Sequence, residues 1–442
     1  MPRHLGVLAS LTGVLLLATA CGSSTPTSNV PQDDNATLEV WTRTTPGGSG
    51  EQGLKKLAAA FEAKTGKKVN VTAIFDDFET KLAQSAAQKH LPDLVLNDSS
   101  QLGTMVTQGI VREVKLDTLS NGKDLLAPAL QAAKATDGKY YGVPYSAQSS
   151  ALLIRKDWRT RLGLPVPTTR DDLLALAKAF ATQDPDGNGK ADTAGLAVPG
   201  STKRGYASWY FSNFLWADGG DFVTAKDGGK FSPSMSTPEA VASAQWFTDL
   251  QCKSKVMQPG AASMDTPPTN ETFESGKAGM YVVGPYLLPR FDKTLGADKY
   301  EVVPMPKGAK DASVLAEGGS VYLMAGSRNE KGQDAFADYV ISPEGQKVGM
   351  EGDGAFIIQL PVNKNVNVSD VRKDPRWDVY AKTYADAGHY APSLPNWTAI
   401  RQSSADTLNA LIADCSLNVG SELKKLDGKI AESLAQQGIG AS

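Results

Sequence analysis

The fold is decided by residues 38–98, which read LEVWTRTTPGGSGEQGLKKLAAAFEAKTGKKVNVTAIFDDFETKLAQSAAQKHLPDLVLND. A short alternating strand ends at Trp41, and apolar residues then recur at helical spacing across 54–61. Two further strands are predicted at 69–73 and 93–96, with a second helix between them. Strand–helix–strand units joined by short loops indicate a parallel sheet flanked by helices. This segment therefore predicts an α/β fold.

Three loops follow the predicted strands of this segment. They are Trp41–Gly50, Phe75–Phe78 and Asn97–Gln101. Ligands of parallel sheets meet the loops beyond the carboxyl ends of the strands. The three loops are therefore predicted to form one wall of a binding site.

Length and composition restrict the class of protein. The chain has 442 residues, which exceeds the usual size of a single core and predicts two lobes. Its apolar content of 41% and charged content of 21% are typical of a soluble globular protein. The formal net charge of -3 offers no basic field for nucleic acid, so no nucleic-acid partner is expected.

The N-terminus reads as an export signal. Arg3 and His4 precede an uncharged run over 5–18, which is shorter than the roughly 20 residues of a membrane-spanning helix. The segment ends at Cys21 after small residues and resembles a lipobox, although alanine stands where leucine is usual. Residues 1–21 are therefore predicted to be a lipoprotein signal peptide, with Cys21 lipidated and holding the protein at the outer face of the cell membrane. The alternative is an ordinary secretory signal.

The stretch 22–35 is rich in Ser, Thr, Pro, Asn and Asp. Such a segment buries too little apolar surface to fold and is predicted to be a flexible tether.

Two cysteines remain after Cys21. Cys252 and Cys415 form an even pair in an exported protein, and an oxidising compartment favours a disulfide between them. The alternative is two buried free thiols.

One loop has the spacing of a calcium site. Oxygen-bearing side chains occupy positions 1, 3, 5 and 9 of the stretch 184–195, with glycine at position 6, but Gly195 stands where an EF-hand has glutamate. The alternative is an Asx-turn loop whose carboxylates stay hydrated. The candidate ligand loop consists of Asp184, Asp186, Asn188, Lys190 and Asp192.

Motifs of common enzyme classes are missing from the sequence. It contains no C-x-x-C, H-E-x-x-H, G-x-S-x-G or G-x-x-x-x-G-K-[ST] pattern. No enzyme activity is expected, and no cofactor is required; calcium is the one metal that the sequence predicts.

Six short motifs resemble, in order, those of a known family. They are FEAKTG at 61–66 with VNV at 69–71, LPDLVL at 91–96 before ND, YGVPY at 141–145, LLIRKD at 152–157, GKAGM at 276–280 before GPY at 284–286, and SPEGQ at 342–346. From about Leu38 to its C-terminal helices, the chain is similar to the sugar-binding branch of extracellular solute-binding proteins, the family of maltose-binding protein.

The resemblance implies a periplasmic-binding-protein-like fold. Two lobes, each with a central β-sheet flanked by helices, are joined by a hinge around a ligand cleft. Lobe one is expected at 36–147 and 308–350, and lobe two at 148–307 and 351–442. Both remaining cysteines then lie in lobe two, as a disulfide requires.

The resemblance also implies the class of each ligand contact. Aromatic rings would cover sugar faces, while polar side chains would bind hydroxyls. Asp98 has a second interpretation, because Asp-Ser-Ser can cap the helix that follows. The predicted contacts are Asp98, Tyr145, Gln148, Trp209, Tyr286 and Trp397, with Asp77 and Gly319 as weaker candidates.

The function implied is the capture of a sugar or oligosaccharide by lobe closure and its delivery to the permease and ATPase of an ABC importer. The protein is expected to be a monomer. One alternative keeps the fold and binds a peptide or polyamine. Another is a secreted carbohydrate-active enzyme, which needs two carboxylates at a fixed separation, but no motif identifies such a pair.

Overall fold

The structure, a computed structural model, describes residues 30–352, 355–357 and 359–441. The expected signal peptide, the lipidated Cys21 and residues 22–29 of the tether lie outside these residues. The strands are β1 (Leu38–Thr42), β2 (Val69–Ala73), β3 (Leu94–Asp98), β4 (Val143–Ser149), β5 (Ala151–Arg155), β6 (Ala194–Ala197), β7 (Val223–Lys226), β8 (Lys230–Pro233), β9 (Ala278–Val283), β10 (Tyr300–Val303), β11 (Val314–Leu323) and β12 (Gly388–His389).

Helices cover both sheets and connect the strands. They are α1 (Ser49–Thr65), α2 (Phe78–Ala87), α3 (Leu102–Thr107), α4 (Ala127–Ala132), α5 (Lys156–Arg161), α6 (Arg170–Thr182), α7 (Tyr206–Leu215), α8 (Pro238–Cys252), α9 (Thr266–Glu274), α10 (Leu288–Thr294), α11 (Glu330–Ile341), α12 (Pro343–Met350), α13 (Val368–Arg372), α14 (Arg376–Ala387), α15 (Trp397–Ala413) and α16 (Val419–Gln436). Within the described part of the chain, no helix combines the length and apolarity needed to cross a membrane.

The first sheet has six strands and contains the N-terminal segment. β1 lies parallel to both β2 and β3, as the strand–helix–strand pattern predicts. Helix α1 buries its apolar positions against this sheet, and Phe61 packs edge-on against Phe336 with 5.2 Å between ring centroids. Gly66 ends α1 with a φ of 73°, a left-handed conformation that glycine adopts without strain. The predicted periodicity is confirmed here.

The second sheet has four strands in the order β10-β5-β9-β6. Helix α6 packs closely on this sheet at Gly279 of β9. A Cβ at this position would overlap the ring of Phe180, so only glycine allows the close approach. The predicted α/β class, with two helix-flanked sheets, is confirmed.

The chain crosses from the first sheet to the second at Ser150. β4 ends at Ser149 in the first sheet, and β5 begins at Ala151 in the second. It returns between β10 and β11, since β10 pairs with β5 while β11 pairs with β3 and β4. Two extended connections between sheets are typical of a hinge.

The C-terminal segment divides between the sheets, whereas all of 351–442 was expected in lobe two. Leu360 bridges to Ala147 of β4, and β12 pairs with the start of β11 in the first sheet. Helices α15 and α16 then pack on α7, α8 and β8 of the second lobe. The difference arises because the backbone near residues 360 and 388 is extended and pairs with strands of the first sheet. The exact lobe boundaries stay a prediction.

Cys252 and Cys415 form a disulfide. Cys252 is the last residue of α8, and Cys415 follows the end of α15. The bond therefore links two helices of the second lobe that are 163 residues apart in the chain.

The end of the expected tether is docked on the first lobe, which corrects the prediction that residues up to 35 are flexible. The backbone N–H of Asp33 donates to the carbonyl of Arg328, and the Gln32 side chain donates to the carbonyl of Ser327 at 3.1 Å. Asp34 also forms an ion pair with Lys331 at 2.7 Å. Polar residues that bury little apolar surface are held here by hydrogen bonds to a neighbouring loop.

Replacing Asn329 by alanine is expected to lower the free energy of unfolding by about 1–2 kcal/mol. Its Oδ1 caps α11 by accepting from the Gly332 N–H at 2.8 Å, and its Nδ2 donates to the Ala36 carbonyl at 2.7 Å. Urea unfolding measures the loss. An Asn329→Asp control keeps the cap but loses the donor, so it should be less affected; an alanine variant as stable as the wild type would contradict this role.

Candidate ligand-binding cleft

A cavity of about 420 Å³ lies between the two lobes. Its walls come from the loops after β1 and β3, the hinge strands β4 and β11, and helices α7 and α15 of the second lobe. Cavities of this size are typical of small-molecule sites, and a position between lobes is a common one.

Six of the eight predicted contacts line this cavity, although they are distant in sequence. Position 319 has room only for glycine, because a Cβ there would lie 2.5 Å from Cζ of Tyr145. The six residues are Asp98, Tyr145, Gln148, Trp209, Gly319 and Trp397.

Asp77 and Tyr286 lie outside the described lining, unlike the other predicted contacts. Asp77 is exposed at the start of α2 with a φ of 56°, so it belongs to a surface turn. Tyr286 packs against Gly284, where a Cβ would lie 2.8 Å from the tyrosine ring and 3.1 Å from Oε1 of Gln148. Gly284 therefore lies close to both the Tyr286 ring and the cleft residue Gln148, and Tyr286 as a ligand contact stays a prediction.

Asp98 faces the cleft at the end of β3. Its Oδ2 accepts from Nη1 of Arg43 at 3.3 Å, and its side chain makes no capping hydrogen bond to the following helix. The capping interpretation therefore does not describe this side chain. Burial within the cleft raises the pKa of Asp98, and the Arg43 guanidinium opposes that rise. The side chain of Asp98 is nevertheless 62% exposed to solvent in the cleft, and solvent favours the charged form.

Aromatic rings supply the apolar part of the cleft. Trp209 is half-buried on α7, and Tyr206 meets it edge-on at 6.4 Å. Tyr145 is stacked against Phe356 with 4.9 Å between centroids. Trp397 is only 7% exposed, so it contributes an edge of the wall and mainly fills the core. Trp209 is therefore the best placed ring for stacking against a ligand.

A chain of polar side chains runs along the cleft floor. Oγ of Ser146 donates to Oε1 of Gln359 at 3.3 Å, and Nε2 of Gln359 donates to Oε1 of Gln148 at 3.0 Å. Nε2 of Gln148 then donates to Oε2 of Glu317 at 2.8 Å, and the same oxygen accepts from Nε1 of Trp209 at 2.8 Å. We name Ser146, Gln359, Gln148, Glu317 and Trp209 the floor network; all five line the cavity.

Glu317, Arg43 and Arg401 are cleft residues that the sequence did not predict. Burial raises the pKa of Glu317, the hydrogen bond from Trp209 opposes that rise, and the charge of Asp98 adds to it. Local signals could have found two of these residues. Glu317 is the charged residue of the otherwise uncharged β11, and Arg401 follows Trp397 by four positions on α15, which places both on one helix face.

The predicted calcium loop is held together by hydrogen bonds between its own residues. Nδ2 of Asn188 donates to Asp186 at 3.0 Å and to Asp192 at 3.1 Å. Burial alone would raise the pKa of Asp184, but N–H groups of Gly189 and Asn188 lower it below its usual value. Across the described residues, no group of three or more His, Cys, Asp or Glu side chains is arranged to hold a metal ion. Calcium binding here stays a prediction.

Two relatives share part of the sequence. The lipoprotein LipO of Bacillus subtilis is 30% identical over 237 residues, which cover 50% of this chain and 45% of LipO. The fructooligosaccharide ABC transporter substrate-binding protein FusA of Streptococcus pneumoniae is 27% identical over 249 residues, covering 50% of this chain and 46% of FusA. The matches thus span less than half the length of each relative.

Solved structures share the fold over most of the chain. The cyclic α-maltosyl-1,6-maltose binding protein from Arthrobacter globiformis superposes with a TM-score of 0.75 at 19% identity, over 91% of this chain and 99% of that one. At this identity the likeness establishes the fold.

The family of bacterial extracellular solute-binding proteins supplies a sequence model that matches residues 47–347. The match covers more than half of the 442 residues and includes strands β2 to β11. The chain therefore belongs to the bacterial extracellular solute-binding proteins.

Proposed function

We propose that this protein binds a sugar or an oligosaccharide in the cleft and closes its two lobes over it. The observation that carries the proposal is the floor network, in which the half-buried ring of Trp209 lies beside the hydrogen-bonding groups of Glu317 and Gln148. A sugar presents C–H faces that suit a ring and hydroxyls that suit carboxylates and amides.

Lobe closure would strengthen these contacts. The wall residues Asp98 and Arg43 lie on the first lobe, whereas Trp209 and Arg401 lie on the second. Closing the hinge excludes water from hydroxyls paired across the cleft, and an unpaired buried hydroxyl is costly. A sugar with a differently placed hydroxyl would therefore bind less tightly.

The relatives support the same class of ligand. By their names, FusA binds fructooligosaccharides within an ABC transporter, and the structurally similar Arthrobacter protein binds a cyclic maltosyl-maltose. We extend this to a monomeric importer subunit that delivers its ligand to a permease and an ATPase. Residues 22–29 would connect the docked segment at 30–35 to a lipid on Cys21, and LipO is named as a lipoprotein. In this proposal the cleft releases its ligand unchanged.

The first test is thermal unfolding of residues 30–442 with a panel of sugars. A ligand at 100 times its Kd should stabilise the protein by about 2.7 kcal/mol, because it binds the folded state alone. The panel should include maltotetraose, kestose, galactotriose, tagatose and galactose. Chromatography of the sugars after incubation tests for products.

Stabilisation by one sugar class without product formation is the expected result. Stabilisation by peptides or polyamines alone would replace the proposed ligand and keep the two-lobed binding protein. Hydrolysis of an oligosaccharide would instead assign the cleft to a carbohydrate-active enzyme.

A further inference from the structure

One carboxylate oxygen connects the two lobes. Oε2 of Glu317 accepts from Nε1 of Trp209 on α7 and from Nε2 of Gln148 on β4, both at 2.8 Å. Glu317 and Gln148 are direct cross-strand neighbours in the first sheet, while Trp209 belongs to the second lobe. The orientation of the indole is therefore tied to the hinge strands.

The floor network has a single direction. Each donor, from Ser146 through Gln359 to Gln148, points towards Glu317, and Trp209 donates from the other side. An ionised carboxylate has acceptors and no donor, so it is the group that can end such a chain. Hydrogen bonds in series strengthen one another at low local dielectric. Glu317 thus determines which way both amides point.

The second oxygen of Glu317 is in a different situation. Among the described residues, the hydrogen bonds to the Glu317 carboxylate all go to Oε2 and none to Oε1, and Glu317 lines the cavity. The free oxygen of a half-buried carboxylate that lines a cleft favours a hydroxyl donor as its partner. An anionic ligand group at the same place would be repelled by the negative charge of the Glu317 carboxylate.

We propose that Glu317 has two roles: it positions Trp209 through Oε2, and it accepts a hydrogen bond from a hydroxyl of the bound sugar through Oε1. The proposal rests on the proposed function and adds its substrate class: the sugar unit against Trp209 is neutral and presents a hydroxyl to Glu317. Glu317 is a positioning residue for the ring and a specificity residue for the edge of the sugar.

Protonation of Glu317 would weaken both roles, because a carboxylic acid is a poorer acceptor. The charged and titratable groups that face Glu317 are Asp98, Arg401, Tyr286 and Tyr390. Burial raises the pKa of Glu317, so it takes up a proton at a higher pH than an ordinary glutamate. The environment of Trp209 should therefore change as the pH falls through this raised pKa, even without a ligand.

The experiment compares Glu317→Gln and Glu317→Ala with a Glu432→Gln control, which removes an exposed carboxylate on α16. Tryptophan fluorescence is recorded against pH for each protein and for the same protein carrying Trp209→Phe. The difference isolates Trp209 from the other six of the seven tryptophans. Affinity is measured by calorimetry with maltotetraose, kestose and galactotriose.

The wild type and Glu432→Gln should show an acid transition of Trp209, and both Glu317 variants should lack it. Glu317→Ala should weaken binding of the active sugar by roughly tenfold or more. Glu317→Gln should recover part of that loss, because its amide keeps one acceptor oxygen.

Unchanged affinity in Glu317→Ala, together with an unchanged Trp209 transition, would overturn this inference while leaving sugar binding in place. If no sugar binds the wild type, the proposed function fails and so does the hydroxyl contact. The ligand-free transition of Trp209 still decides, in that case, whether Glu317 positions the ring.

Discussion

Replacing Trp209 by alanine should weaken binding of the sugar that stabilises the wild type by roughly 30- to 900-fold, or about 2–4 kcal/mol. The change removes a half-buried ring that lines the cavity and a hydrogen bond of 2.8 Å to Glu317. It also leaves the carboxylate with one fewer donor. Calorimetry with the wild type and the variant measures the difference.

Two controls separate binding from folding. Trp209→Phe keeps a ring without the N–H group and should fall between the wild type and the alanine variant. Trp246→Ala removes another half-buried tryptophan, which packs against Phe214 at 5.1 Å and lies outside the described lining of the cavity. This control should lose stability and keep its affinity. Equal affinities for Trp209→Ala and the wild type would show that the Trp209 ring does not contact the ligand.

Breaking the disulfide with Cys252→Ala and Cys415→Ala should lower the free energy of unfolding by up to about 5 kcal/mol. The bond joins residues 163 apart, and closing so long a loop removes much conformational entropy from the unfolded chain. The loss should fall on the second lobe, because α8 and α15 both belong to it. A shift of roughly 10–20 °C in the unfolding transition of that lobe is expected.

Differential scanning calorimetry of the double variant measures this shift, and the reduced wild type provides the matched control. The disulfide lies at the ends of α8 and α15 and outside the described cleft lining, so sugar affinity should be retained. An unfolding temperature equal to that of the oxidised wild type would show that the bond contributes little.

Local pattern was sufficient for three strands of the first sheet and for part of the cleft. Periodicity predicted the parallel β1–β2–β3 unit, whose registers the structure shows. It also placed Asp98 at the end of β3, where polar side chains reach a cleft. Gly319 was predicted from the family resemblance, and packing against Tyr145 explains why it is glycine.

Local pattern was insufficient where the position of a residue depends on contacts that are distant in the chain. The Gly-Pro-Tyr motif predicted Tyr286 as a ligand contact, but Tyr286 lies outside the described lining of the cavity and packs against Gly284. Residues 30–35 have the composition of a tether, yet hydrogen bonds to Ser327 and Arg328 hold them on the first lobe. Composition records how much apolar surface is available, and it contains no information on polar partners that are distant in the chain.

The sequence alone predicted the strands and helices of residues 38–98, the two-lobed α/β class, a disulfide between Cys252 and Cys415, and the family. These follow from periodicity, composition and short motifs, which depend on neighbours along the chain. Only the tertiary structure decided that Glu317 meets Trp209 and Gln148, which are 108 and 169 residues away. Contacts over such separations depend on how two sheets and their helices pack around a hinge, and no local spacing encodes that geometry.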